Sequence, residues 1–215
     1  MVIKMEYVWG FIILVIFGVF FERKKGINKK KKRERMLEEI KKIDDFDITH
    51  DYIEGDAKNG IALDNLKHKF CVITNKDNKY NISLYNYKDL LEVEILEDGG
   101  SVTKAARGSQ IGSMLIGGLA LGAVGAVGAV VGGLSSKKNN IEKVKKIDLK
   151  LIVNNIDNPL FVINFFKTND NKGYSKDSFI YEAYRKKADE WYSRLSVLIK
   201  KADEEDRVSK NTKID

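Results

Sequence analysis

One cysteine, one proline and two histidines are all that this 215-residue chain holds of the residues that staple folds, break them, or move protons near neutral pH. With Cys71 alone there is neither a disulfide framework nor a thiolate metal cluster. Its setting, KFCVIT, reads as a strand, so the thiol is expected to serve as a small buried hydrophobe. His50 and His68 stand apart, in no metal-ligand spacing and no triad-like arrangement, and are read as surface residues. Paired carboxylates such as Asp44/Asp45 are ordinary solvated charges without a partner to set them apart. The expectation is a non-enzymatic protein with no catalytic residues, no cofactor and no metal.

Charge is abundant but unevenly placed. The chain has 38 Lys/Arg and 31 Asp/Glu, a net +7. The stretch from Glu22 to Lys42 alone holds 11 basic and four acidic residues, so it carries the whole excess and the remainder balances at 27 of each sign. Just before it, Tyr7 to Phe21 (YVWGFIILVIFGVFF) contains no charge. As a helix it covers about 22 Å, which Met1 to Glu6 can extend toward the ~30 Å hydrocarbon thickness. FFERKK follows it without a small-residue cleavage site, so residues 1–21 are read as an uncleaved transmembrane anchor. The basic flank places the body in the cytoplasm, on the inner face of the cell membrane. Arg23, Lys24, Lys25, Lys29, Lys30, Lys31, Lys32 and Arg33 would then lie against anionic lipid, about 1 kcal/mol per charge. A pure topology signal explains the same charges. Nucleic acid is disfavoured as a partner, because no aromatic stacking set is interleaved with them.

Residues 22–45 read as a basic juxtamembrane helix or linker, with Met36, Ile40 and Ile43 on one helical face. From Phe46 the texture becomes short runs separated by Asn, Asp and Gly. Strands are predicted near Gly60 to Leu63, Lys69 to Thr74, Lys79 to Leu84 and Leu91 to Leu96, with a hairpin around Asp98-Gly99-Gly100. KKIDLKLIVN alternates apolar and polar residues, NNIDNP is a turn, and Pro159 opens the strand LFVINFF. A long amphipathic helix closes the chain. Its apolar stripe is read at Ile180, Tyr184, Ala188, Trp191, Leu195 and Leu198, its cap at Ser175 or Asp177, and residues 206–215 as a flexible tail.

Six or seven antiparallel strands followed by one amphipathic helix make a mainly β, α+β plan. Through GIALDNLKHKFCVIT, YNISLYNYKDLLEVEILEDGG and FIYEAYRKKADEWYSRLSVLIKKA the chain resembles bacterial PH-like (GRAM-like) domains, over residues 46–205. YNYKDLLEVEI is similar to that family's tyrosine-containing turn before a long strand, and Trp191 sits where such a closing helix carries a tryptophan. It also looks like proteins in which a glycine-zipper segment interrupts such a domain. The resemblance implies an antiparallel barrel or sandwich that binds rather than catalyses. A phosphoinositide-binding basic loop is not visible: NKDNK carries two lysines and one aspartate.

The interruption is residues 108–136. From Ile111 to Leu134 there is no charge, and eight of 24 residues are glycine. No Gly-x-Gly and no Gly-Lys-Ser/Thr occurs in it, so it is not a nucleotide loop. Its Leu, Ile, Met and Val suit a disordered linker poorly. Gly118, Gly122 and Ala126, then Gly125, Ala129 and Gly133, recur every four residues, the small-xxx-small spacing of close helix packing in lipid. Gly118, Gly122, Gly125, Gly128 and Gly132 are the membrane and self-association candidates. Lys104/Arg107 and Lys137/Lys138 frame the segment. An inserted helical hairpin entering the membrane ranks first. A single span of about 36 Å comes next, then packing on the soluble domain. Expected partners are membrane lipids, a second copy through the Gly-rich segment, and a protein of unknown identity. Two functions compete: a membrane-anchored binding scaffold, and a glycine-zipper pore or membrane-perturbing effector gated by the soluble domain.

Overall fold

The computed structural model describes residues 15, 17, 20, 26, 28–77, 79–108, 143–170 and 172–211. The anchor reading at 7–21 therefore lies outside the described residues except at 15, 17 and 20. Residues 111–134 lie outside them entirely. Among the described residues, no helix is long and apolar enough to cross a membrane.

Two four-stranded antiparallel sheets form the body. The first joins β1 (His50–Ile53), β2 (Asn59–Asp64), β3 (Lys69–Lys76) and β4 (Lys79–Asn86) in sequential order. A 3-10 turn at Tyr87–Asp89 leads to the second sheet, of β5 (Leu90–Glu97), β6 (Gly100–Ala106), β8 (Lys146–Val153) and β9 (Leu160–Lys167). Its order is β6-β5-β8-β9. Short β7 (Lys143–Val144) and β10 (Tyr174–Ser175) pair with each other, and α2 (Phe179–Asn211) closes the chain.

Strand alternation gives the first sheet two apolar faces. Ile61, Leu63, Phe70, Val72 and Tyr85 point inward. There they meet Val93, Ile95, Leu149 and Leu151 of the second sheet and Trp191 and Leu195 of α2. Ala62, Cys71 and Ile73 point outward, and α1 (residues 28–41) covers them. Met36 and Ile40, read from the sequence as one helical face, are 0% exposed against this outer face. Burying side chains of this size contributes roughly 1.5–3 kcal/mol each. The basic helix is thus part of the folded body over its second half. Burial also pushes the Cys71 thiol up to about 12, so it is inert as a nucleophile.

The two sheets meet along β1 and β9. β9 is an edge strand, and a bulge in it leaves Phe165 without an opposite residue between the pairs Ile147↔Phe166 and Asp148↔Asn164. Glu54 lies beside the bulge: its Oε1 accepts the Asn164 N–H at 2.6 Å and the Asn59 Nδ2 at 3.1 Å. The Tyr52 hydroxyl donates to the Asn164 carbonyl at 3.1 Å, and its ring stacks on Phe165 at 4.0 Å. A second buried carboxylate, Asp64, shapes the β2–β3 turn by accepting N–H groups from Asp47, Leu66 and Lys67 at 2.7, 3.0 and 3.0 Å.

Several local readings need correction. The four residues of β1 have no alternating signature, yet they pair with β2 in register from His50↔Leu63 to Ile53↔Gly60. The cap of α2 is Ser178, whose Oγ accepts the Tyr181 N–H at 3.3 Å, rather than Ser175 or Asp177. In the first turn Tyr181 is buried, while Ile180 and Tyr184 face outward at 41% and 38% exposure. The helix also runs through residues 206–211, read as tail, because Arg107 and Lys88 draw its acidic turn onto the body.

Two outcomes are expected. Ile40→Asp should lift α1 from the sheet, so that Cys71, unreactive toward a thiol reagent in the native protein, labels readily while β-sheet circular dichroism persists. Burial, opposed by the Asn164 and Asn59 hydrogen bonds, raises the Glu54 carboxyl above its ordinary 4.5. The folded state then holds that proton more tightly than the unfolded chain. Stability is fully present below about 4.5 and falls as pH climbs through the raised value. Urea midpoints of Glu54→Gln, measured against the native protein, should improve steadily across this window.

Candidate functional site

The glycine-rich segment is tied to the body at two places, and the strand register fixes both. β5 turns into β6 through Asp98 (φ 49°) and Gly99 (φ 88°), with Glu97 opposite Gly100, the tight hairpin that Asp-Gly predicts. On its other side β5 pairs with β8, from Glu97↔Ile147 to Leu90↔Val153. Without β6, then, β5, β8 and β9 would be a plain up-and-down meander. Residues 98–145 are one excursion from the tip of its first hairpin. The base is pinched shut: the Asp98 N–H donates to the Lys146 carbonyl at 3.1 Å, and the Lys145 N–H donates to the Asp98 carboxylate at 3.0 and 3.2 Å.

β6 is the outward arm of this excursion and lies on the free edge of β5. Of its seven residues only Ala105 is buried. A clasp at its far end holds it. The Arg107 guanidinium donates to Asp203 at 3.2 Å, to Asp206 and to the Lys88 carbonyl, and the Gly108 N–H reaches Asp203 at 3.1 Å. A cleft of about 420 Å³ lies beside the clasp, lined by Leu91, Arg107, Gly108, Asp203, Asp206 and Arg207. The chain comes back at the opposite end, where β7 pairs with β10. Gly173 (φ 65°) is required there, since a Cβ would meet the Val144 carbonyl at 3.0 Å. The Arg107 N–H bonds at the level of Leu91 and Asp98 at the level of Lys146. Seven strand residues therefore separate the two ends, about 23 Å.

This arrangement removes one reading of residues 111–134. A bilayer cannot pass between strands of one sheet, and β5 before the segment pairs directly with β8 after it. Both flanks lie on the same side of any membrane, so the single span is wrong. Gly118, Gly122, Gly125, Gly128 and Gly132 themselves fall outside the described residues.

Of the basic patch, Arg23, Lys24 and Lys25 are outside the described residues. Lys29, Lys30, Lys31, Lys32 and Arg33 are exposed on α1. The turn after α1 is bound to the β2–β3 turn through Asp45 and Asp47 with Lys67 and Lys69, at 2.6–3.1 Å. The amino-terminal half of the helix consequently points the other way, past β1, where Arg33 meets Asp51 at 3.5 Å. Burial and then the Glu54 charge raise the Tyr52 hydroxyl, with Tyr184 and Arg33 also close enough to act on it. The basic half of α1 therefore passes near the junction of β1, β9 and the start of α2.

That start is itself anchored to β5. Glu97 accepts from the Tyr181 hydroxyl at 2.7 Å and from Arg185 at 2.5 Å, and lies 3.3 Å from Lys176. Burial alone would raise its carboxyl, but these donors and cations hold it below the usual range. Sequence reading missed Glu97 and the Arg107 clasp. Arg107 was visible only as a flanking charge, and Lys104, read with it, instead pairs with Glu92 at 2.7 Å on the outer face of the sheet.

Two four-stranded antiparallel sheets sharing one core, a closing helix packed on that core and a large excursion from one hairpin fit a PH-like domain carrying an insertion. The chain belongs to the family described as glycine zipper containing PH domain, whose sequence model matches residues 50–167. Among curated proteins it is 31% identical over 134 residues to an "Immunity protein" of Bacillus phage SPbeta, covering 60% of this chain and 63% of that protein. It is also 31% identical over 134 residues to an SPbeta prophage-derived uncharacterized membrane protein of Bacillus subtilis (strain 168), covering 60% and 56%. The chain thus spans under two thirds of either relative's length. No solved structure matches it.

Replacing Arg107 by Gln should free β6 at its unsupported end. Amide exchange at residues 101–106 is expected to speed up about tenfold, the loss of roughly one charged hydrogen bond, with β8 unchanged.

Proposed function

We propose that this protein is a non-enzymatic, membrane-attached PH-like module that serves immunity at the inner face of the cell membrane. One observation carries most weight: the sheet closes across the glycine-rich segment, so that segment must leave and return on one side. An uncharged 24-residue stretch with four-residue glycine spacing then suits a hairpin that dips into one leaflet or packs against another copy. Residues 135–142 reach at most about 28 Å, enough to cover the 23 Å back to Lys143. The amino-terminal apolar run is the second attachment, with the exposed lysines of α1 against anionic lipid. Both relatives agree with this assignment, one named for immunity and one for the membrane.

The small-xxx-small spacing also favours the second reading, a membrane-perturbing effector. Inducible expression with a membrane-potential dye separates them. The binding module is expected to fractionate with membranes and leave the potential intact. Rapid depolarisation abolished by changing Gly118, Gly122 and Gly125 to Leu would overturn it in favour of the pore.

A further inference from the structure

Each four-stranded sheet has two edges, and the body treats them differently. β1 and β9 close on each other at the seam, where Glu54 and Tyr52 reach the Asn164 main chain. β6 carries Lys104, a register shift against β5 and the Arg107 clasp, which guard it as an edge. β4 has none of these. Its eight residues pair with β3 from Lys76↔Lys79 to Lys69↔Asn86 without a shift, and from Tyr80 to Asn86 there is neither charge nor proline.

The direction of its free groups follows from the neighbouring bonds. The Asn75 N–H donates to the Lys58 carbonyl at 2.6 Å, toward β2, so Thr74 and Lys76 on either side of it face β4. Their partners Asn81 and Lys79 face back, and Ser83 and Tyr85 follow in the same phase. Where the ladder ends, the Tyr87 N–H still reaches the His68 carbonyl at 3.0 Å. The main-chain groups of Tyr80, Ile82, Leu84 and Asn86 therefore point off the sheet. Asn86 gives its N–H to the Asp89 carboxylate at 2.9 Å. Those of Tyr80, Ile82 and Leu84 have no partner among the described residues.

That row is complementary to itself. Laid antiparallel on a second copy with Ile82 on the two-fold axis, Ile82 meets Ile82, and Tyr80 meets Leu84 from each side. Every free donor and acceptor of the three residues is then used. Moving the axis to Ser83 or Leu84 demands the Asn86 N–H that Asp89 already holds, and moving it to Asn81 puts Leu84 past the end of the strand. The chosen register also sets Asn81 against Ser83, so no like charges oppose each other. On the outer face Tyr80 is half-buried and Leu84 is 40% exposed, and pairing lays each tyrosine ring on the other copy's leucine. The basic half of α1 leaves past β1, at the opposite edge of this sheet. We infer that β4 is a docking edge for a second copy of this chain, joining two four-stranded sheets into one of eight antiparallel strands. The contact belongs to the folded domain and is separate from any made by the glycine-rich segment.

Disulfide trapping reads this register directly, in the full chain purified in mild detergent, with Cys71, which lies opposite Leu84, replaced by alanine. Ile82→Cys places the two Cα atoms about 5.5 Å apart, within disulfide reach. Leu84→Cys, at a more exposed position, places them about 14 Å apart. Oxidation is expected to link Ile82→Cys at least about tenfold faster than Leu84→Cys. In the native chain, exchange of the Tyr80, Ile82 and Leu84 amides should be slowed about tenfold at high protein concentration, to join Asn81 and Ser83, a reading that needs no variant to fold. Equal linking at both positions overturns the register in favour of random collision. No link at Ile82, whatever the size of the particle, overturns the second copy, and association that persists then belongs to the glycine-rich segment. Fast exchange at all three amides at the highest concentration overturns the docking edge as well.

Discussion

The pairing of β5 with β8 is the constraint on which the rest of the molecule depends. It joins strands separated by almost fifty residues, and its inward row, Val93, Ile95, Leu149 and Leu151, is the floor of the core. Loop-closure entropy grows only logarithmically, about 0.6 kcal/mol per doubling, so a long excursion costs little more than a moderate one. What the fold requires is a sealed base, supplied by Asp98 with Lys145 and Lys146. The barrel accepts a foreign apolar segment because the register is settled before and after it.

Buried acids organise the rest. Glu54 accepts the Asn164 N–H beside the β9 bulge, Asp64 ties two N–H groups of the β2–β3 turn to that of Asp47, and Glu97 fastens the start of α2. Each carboxylate sits where main chain or cation is already in place to receive it, as burial of charge requires. Of the three only Glu54 has its carboxyl shifted upward; burial is outweighed at Asp64 by three N–H donors with the Lys67 charge nearby, and at Glu97 by Tyr181, Arg185 and Lys176. α2 spans the body between Glu97 at one end and the Arg107 clasp at the other, so it braces β5 and the outward arm of the excursion.

Much of this was legible from patterning. The alternation of Ile147, Leu149 and Leu151, the Asp98-Gly99 turn, and Met36 with Ile40 each point where the structure has them, since each follows from local periodicity or backbone preference. β1 was not legible: HDYI owes its strand to partners in β2 and to Tyr52 and Glu54 meeting β9 more than a hundred residues away. The first turn of α2 was misread by one position. Ile180 and Tyr181 both fit an apolar stripe, and only the Glu97 acceptor decides for the tyrosine.

The seating of α1 has a mechanical consequence. With Met36 and Ile40 sunk into the outer face of the first sheet, no swivel joint lies between the basic helix and the barrel. Any torque on the helix turns the whole barrel with it, and a load on the barrel pulls back along the same axis. The domain is a bracket rather than a tethered float, and its heading is set by the buried Met36 and Ile40 together with the ion pairs of Asp45 and Asp47 to Lys67 and Lys69.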